Sequence, residues 1–208
     1  GAEVEQCGNG ARCLARFVHD RHLTGKNPIV VKTSNRVMQL VVEDKKMVAV
    51  DMGIPELVPE NIPFEAPEKA MVYAIDVDGQ SYDIAAVSMG NPHAVLRVDD
   101  VEHAPVAELG AKIESHPRFP NRVNVGFMQI DSRNEIKLRV FERGVGETEA
   151  CGSGACAAAV AAIQQGLVDS PVTMQLTRGT LKIDWRGEGH ELIMTGPTAT
   201  VFHGRIRI

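Results

Sequence analysis

Glu149-Ala150-Cys151-Gly152-Ser153-Gly154-Ala155 opens an alanine-rich stretch of this chain, and Glu5-Gln6-Cys7-Gly8-Asn9-Gly10-Ala11, 144 positions earlier (149 less 5), says nearly the same thing. Each run leads into a helix-forming segment. The glycines let a backbone come close to a ligand, and the free N–H groups of a helix's first turn, with its dipole, favour an anion there. That anion can be a thiolate, a substrate carboxylate, or both. A cysteine repeated at a repeated helix start points to paired chemistry.

Working outward, Ala11 to His22 carries apolar residues at helical spacing and stops before Gly25. The period then changes. Residues 29–33, 37–43 and 47–52 are short, β-branched and separated by Ser34-Asn35 and Asp44-Lys45, the pattern of antiparallel strands joined by turns. Gly53 to Pro67 holds Pro55, Pro59, Pro63 and Pro67 and reads as a linker. Strands are expected at 71–77, 81–88, 94–98, 123–130, 136–142, 172–177, 180–185, 191–196 and 199–202. Helices are expected near 104–115 and from Gly154 to Gly166. Each half then has strands around one helix that starts at Cys-Gly-x-Gly, a repeat of the length of a domain. The expected fold is α/β, with two pseudo-symmetric domains of mixed and antiparallel strands, each wrapped around a central helix. The first domain covers 1–52, with the tail 197–208 returning to it, and the second covers 53–196.

Composition narrows the function. A chain of 208 residues with 44% apolar content can bury a sizeable core. A net charge of −5 and only 22 Lys+Arg offer little for a phosphate backbone, so nucleic acid is not an expected partner. No apolar run approaches the roughly 20 residues needed to cross a bilayer, and the reading is a soluble cytoplasmic protein with no membrane partner. Four cysteines then read as free thiols. Cys13 and Cys156, further along the two helices, read as buried small hydrophobes. No metal is expected, because the cysteine spacings do not match zinc sites.

Other segments carry candidate site residues. Ser88-Met89-Gly90-Asn91-Pro92-His93 sets an amide and an imidazole beside a rigid turn between strands. Phe141-Glu142-Arg143-Gly144-Val145-Gly146-Glu147-Thr148 is a polar loop leading into Cys151, a suitable place for an arginine to clamp a carboxylate. Asn124 reads equally as a strand-edge amide or a ligand contact. Glu147 and Glu149 read as charges that complement the start of the second helix.

Taken in order, Gln6 to Cys13, Ser88 to His93, Asn124-Val125-Gly126-Phe127, Glu142-Arg143-Gly144, Gly146-Glu147-Thr148 and Ala150 to Ala155 resemble the motifs of the diaminopimelate epimerases, across essentially the whole chain. The resemblance implies a cofactor-independent isomerase, needing no pyridoxal, with its active site in a cleft between the two halves. Cys7 and Cys151 would be the catalytic pair: one thiolate removes an α-proton and the opposite thiol returns one. Helix N-termini lower thiol pKa values, so both are expected to be poised near neutral pH. Backbone N–H groups of Gly8, Asn9, Gly152 and Ser153 would stabilise the carbanion. Asn91, Asn124, Glu142 and Arg143 would bind substrate, with Arg143 suited to the distal carboxylate, and His93 and Glu142 would tune the thiols. The implied substrate is the small amino acid LL-2,6-diaminopimelate, converted to its meso form for lysine and peptidoglycan. The implied assembly is a homodimer.

Gly1 enters the Cys7 motif with no strand ahead of it, so an upstream segment is expected. In the resembling family that segment contributes further substrate contacts, and the 208-residue chain alone is expected to be inactive. Two alternatives fit less well. A proline or hydroxyproline racemase of the same fold has little use for Arg143 and two amides, and a thiol switch does not call for a substrate clamp.

Overall fold

The computed structural model describes residues 8–33, 36–44, 46–202 and 204. Among these residues three α-helices, α1 (Gly8–Asp20), α2 (Val106–Glu114) and α3 (Gly152–Gln164), accompany twelve strands. The strands are β1 (Ile29–Lys32), β2 (Val37–Val42), β3 (Met47–Asp51), β4 (Tyr73–Val77), β5 (Gln80–Ser88), β6 (Pro92–Arg97), β7 (Asn124–Ser132), β8 (Glu135–Glu142), β9 (Gly146–Thr148), β10 (Val172–Leu176), β11 (Gly179–Trp185) and β12 (Leu192–Pro197). They form one sheet in the order β1-β2-β3-β12-β11-β10-β8-β7-β6-β5-β4, with β9 paired to β8. Pairing is antiparallel except for β6–β7 and β8–β10. The expected mixed α/β architecture with a central helix is the one found.

α3 decides how the sheet curls. Its sequence is alanine-rich and apolar on every side, so it has no face to give to water. Gly152 and every residue from Gly154 to Ala162 are buried. Alanines let strands come close from several directions, and β5, β6, β7, β8, β10, β11 and β12 all touch the helix. Alternation along those strands follows from the pleat. Ala85 and Val87 of β5 face the α3 core, whereas Ile84 and Ala86 face a second core under α2. In that second core Phe64 stacks on Phe119 and meets Tyr73 edge-on. Met38, Leu40, Val48 and Val50 belong to the same core as α3, joined through β12, which pairs with both β3 and β11.

Several expectations change here. The helices begin earlier than expected, at Gly8 and Gly152, because the motif glycines lie in the first turn. Residues 199–202 form no strand among the described residues, and Val201 and Phe202 are exposed. The proline-rich stretch after Gly53 is packed and not a free linker. Leu57, Ile62 and Phe64 are buried, Glu56 bridges to Ser88, and the Glu56 carboxylate accepts from the Leu57 and Val58 N–H groups, both at 2.8 Å. Cys13 is exposed. The inward stripe of α1 runs through Gly8, Arg12 and Ala15, which turns Cys13 outward. Cys156 is buried, as expected.

α2 packs closely on β8. An added Cβ at Gly110 would lie 2.7 Å from the Phe141 Cβ, an atom fixed to the β8 backbone. Gly110→Ala should therefore destabilise the fold by about 1–3 kcal/mol through overpacking, despite the roughly 1 kcal/mol that alanine gains within a helix. Urea unfolding reads the sign, and a raised midpoint would show that α2 can move off β8 freely.

Candidate active site

Sheet register brings the motifs to one end of the strands. β6 and β7 run parallel with His93 beside Asn124, and β7 runs antiparallel to β8 so that Val125 faces Phe141. The starts of β6 and β7 and the end of β8 thus share an edge, which the start of α3 meets. After β8 the chain turns through Arg143, Gly144 and Val145, closed by a Val145 N–H bond to the Glu142 carbonyl (3.0 Å). Gly144 takes φ +73°, a left-handed position that suits glycine. The chain then returns as β9, a three-residue strand with no sequence period to reveal it, in which Glu147 pairs with Arg139 and is not a helix-start charge. Glu149 pairs with Arg178 at 3.0 Å.

Cys151 is the N-cap of α3. Its backbone is extended (φ −115°, ψ 110°) and its Sγ accepts the Gly154 N–H at 3.4 Å, the part usually taken by a serine or aspartate oxygen. The Ser153 Oγ lies 3.7 Å from the same sulfur. Cys151 is 5% exposed. Burial, reinforced by the Glu142 carboxylate, pushes its thiol up to about 12, and the Gly154 and Ser153 donors do not offset this. The expected poise near neutral pH is absent: Cys151 rests as a thiol. The Glu142 carboxylate is held in turn by the Thr148 hydroxyl.

Behind Ser153 stands a neutral chain of polar groups. The Asn91 Nδ2 donates to the Ser153 Oγ (3.4 Å), and the His93 Nε2 lies 3.1 Å from the Asn91 Oδ1. His93 is 1% exposed, and burial, with the nearby Arg143 charge, lowers its pKa to about 3. It is neutral, so Nε2 carries the hydrogen given to Asn91. Asn91 and Ser153 stand between this neutral imidazole and the Cys151 sulfur.

Asn124 is committed at both ends to main chain. Its Nδ2 donates to the Pro92 carbonyl (3.1 Å) and its Oδ1 accepts the Arg143 N–H (2.9 Å), which ties the Asn91–His93 turn to the β8–β9 hairpin. The exposed Arg143 side chain donates through Nη1 to the Asn121 carbonyl (2.9 Å).

Cys7, expected as half of the catalytic pair, lies outside the described residues. α1 starts at Gly8, and its Asn9 reaches across to α3, with Nδ2 donating to the Ala150 carbonyl at 3.3 Å. Arg12, 8% exposed, donates through Nη2 to the Asn9 Oδ1 (2.9 Å) and through Nη1 toward the Met194 sulfur (3.7 Å). Cβ atoms added at Gly8 and Gly152 would lie 2.6 and 3.3 Å from the Met194 side chain, so both glycines serve the close approach of the two helix starts. The sequence reading assigned no role to Arg12, whose only signal was its place one turn after Gly8. Among the described residues no group of three or more His, Cys, Asp or Glu could hold a metal ion, and no helix is long and apolar enough to cross a membrane.

The buried neutral His93 makes stability depend on pH. The unfolded chain protonates this imidazole near pH 6.5, the folded chain only near 3, so stability is lost as the pH falls through that window. One such proton contributes a slope of up to about 1.4 kcal/mol per pH unit. His93→Gln should flatten the loss seen by urea unfolding between pH 7 and pH 4.5. An unchanged slope would mean that His93 is accessible to protons in the folded chain.

Comparison with known proteins agrees with the geometry. The family model for diaminopimelate epimerase matches residues 85–201. The diaminopimelate epimerase of Pseudomonas syringae pv. syringae is 60% identical over 208 residues, which is 100% of this chain and 75% of that protein. Among solved structures, a probable proline racemase from Agrobacterium radiobacter K84 superposes with a TM-score of 0.69 at 14% identity, over 93% of this chain and 65% of its own. A hydroxyproline epimerase from Agrobacterium vitis gives 0.66 at 14% identity, over 92% and 64%. Those two likenesses concern the fold alone; the family-model match and the 60% identity show that this chain belongs to the diaminopimelate epimerase family.

Proposed function

We propose that this chain inverts an α-carbon of LL-2,6-diaminopimelate to give the meso form, by proton transfer between Cys7 and Cys151 and without a cofactor. One observation carries the reading: α1 and α3 begin side by side, joined by the Asn9 to Ala150 hydrogen bond, and each follows a cysteine in sequence. A carbanion held between two helix starts would meet N–H groups of Gly8, Asn9, Gly152 and Ser153, donors fixed before the charge develops.

Cys151 rests as a thiol and suits the delivery of a proton. When it gives that proton up, the charge on its sulfur falls where the Gly154 N–H already points and where the Ser153 hydroxyl, 3.7 Å away, can donate. The other cysteine removes the α-proton from the opposite face, and the two exchange roles in the reverse direction. Arg143 stands at the exposed hairpin tip with guanidinium donors suited to a carboxylate distant from the reacting carbon. The product would serve lysine and peptidoglycan synthesis in the cytoplasm. The family resemblance supports a homodimer.

The test is α-proton exchange of LL-diaminopimelate in D2O under reducing conditions, on this chain and on a version extended upstream to the length of its relatives. Exchange should be abolished, by at least about a hundredfold, in Cys7→Ser and in Cys151→Ser. Exchange of proline in place of diaminopimelate would move the substrate to the cyclic amino acids. Exchange surviving in either serine variant would rule out the two-thiol mechanism.

A further inference from the structure

Glu114, the last residue of α2, has no part in the motifs, yet it is buried (8% exposed) and lies under the β8–β9 hairpin. Its Oε1 accepts the Gly144 N–H at 2.6 Å, and the Arg122 Nη1 lies 3.3 Å from the same oxygen. The Glu114 carbonyl accepts the Val123 N–H (3.1 Å), which fixes the end of α2 against the start of β7.

Local rules disfavour this residue here. A carboxylate in the last turn of a helix faces the negative end of the dipole, and burial adds a desolvation cost. Arg122 also has a left-handed backbone (φ 58°), uncommon for a residue with a side chain. Two unfavourable placements that meet in one ion pair identify a position kept for a purpose other than the stability of the helix.

The purpose can be read from what the pair holds. The hairpin tip is exposed at Arg143, Gly144 and Val145. Two buried side chains grip consecutive main-chain N–H groups within it: Asn124 on Arg143 and Glu114 on Gly144. Together they fix the direction in which Arg143 leaves the backbone.

We propose that Glu114, braced by Arg122, is a positioning residue for Arg143 and so sets affinity for the distal carboxylate of the substrate while leaving the proton transfer at Cys151 untouched. The proposal rests on the reading of Arg143 as that carboxylate's clamp. Preorganisation of this kind acts on substrate binding, so its signature is a change in KM with kcat preserved.

Steady-state kinetics on the full-length protein with diaminopimelate test it through Glu114→Ala, Glu114→Gln, Arg143→Ala and the double variant Glu114→Ala/Arg143→Ala. Glu114→Ala should raise KM about tenfold with kcat within about twofold of the parent, the loss expected when a backbone donor loses its charged acceptor. Glu114→Gln, which keeps an oxygen for the Gly144 N–H, should restore most of the affinity. In the Arg143→Ala background Glu114→Ala should add nothing, because the two act through one contact. If Glu114→Ala does not fold, Glu114→Met, similar in shape and without a charge to bury, should show the same rise in KM.

A KM unchanged in folded Glu114→Ala or Glu114→Met, an effect that adds in full to that of Arg143→Ala, or a parallel fall of kcat would overturn the proposal. Arg143→Ala with an unaltered KM would overturn the clamp reading itself, and the proposal with it.

Discussion

A helix that starts inside a protein must find acceptors for N–H groups that its own turns cannot satisfy, and α3 starts there. Its flanks are buried from Gly152 to Ala162 save Ser153, so water is a poor answer. The cysteine sulfur at the N-cap takes the Gly154 N–H. The remaining donors of the first turn and the dipole favour negative charge at the start of α3. The same burial works against the thiolate. Raising the thiol from 9.0 to about 12 is a bias of about 4 kcal/mol toward the neutral form, whereas a helix dipole contributes at most about 2 kcal/mol. Burial wins at rest. Charge therefore belongs to the occupied site, where a substrate's own groups enter the balance.

Where that helix start meets the sheet is a matter of strand direction. Parallel strands cannot be joined by a tight turn, so β6 and β7 need a crossover, and α2 lies in it. Parallel pairing also aligns the starts of the two strands, which sets His93 beside Asn124 although 30 residues separate them (124 less 94). α2, returning toward the start of β7, ends beneath the β8–β9 hairpin. A helix that carries no site motif thus delivers Glu114 to the site's border. The contact of Gly110 with Phe141, next to Glu142, is part of the same docking.

These features explain which parts were legible in the sequence. The repeated Cys-Gly-x-Gly and the alanine run announced two helix starts, and period-two alternation located most strands to within a residue or two. Local signals failed where tertiary contacts decide. Residues 199–202 alternate like a strand but form none among the described residues, while β9 is too short to show a period and exists because the hairpin returns to β8. Cys13 read as core from its type, and the facing of α1 turned it out. Glu114 carries no signal of its own, since nothing in its local sequence shows the hairpin that lies over it. The thiol's pKa was misjudged for the same reason: a helix start is visible in sequence, but the depth of its burial is not.

The site divides its polar groups by charge. Those that follow one another from the Cys151 sulfur inward, Ser153, Asn91 and the neutral His93, can be buried without the penalty of an isolated ion. Arg143 stays at the exposed hairpin tip, where its charge remains solvated until a ligand arrives, and Glu114 is buried only with Arg122 at its side. Glu142 stands between the two zones, close enough to raise the thiol and held by the Thr148 hydroxyl. Under the proposed function this division separates two tasks. Recognition of the substrate's charged far end is assigned to a solvated hairpin whose direction is fixed from below, and proton transfer to a dry helix start whose partners are neutral. A change at the rim then alters binding with little effect on the sulfur, and a change along the neutral chain does the reverse.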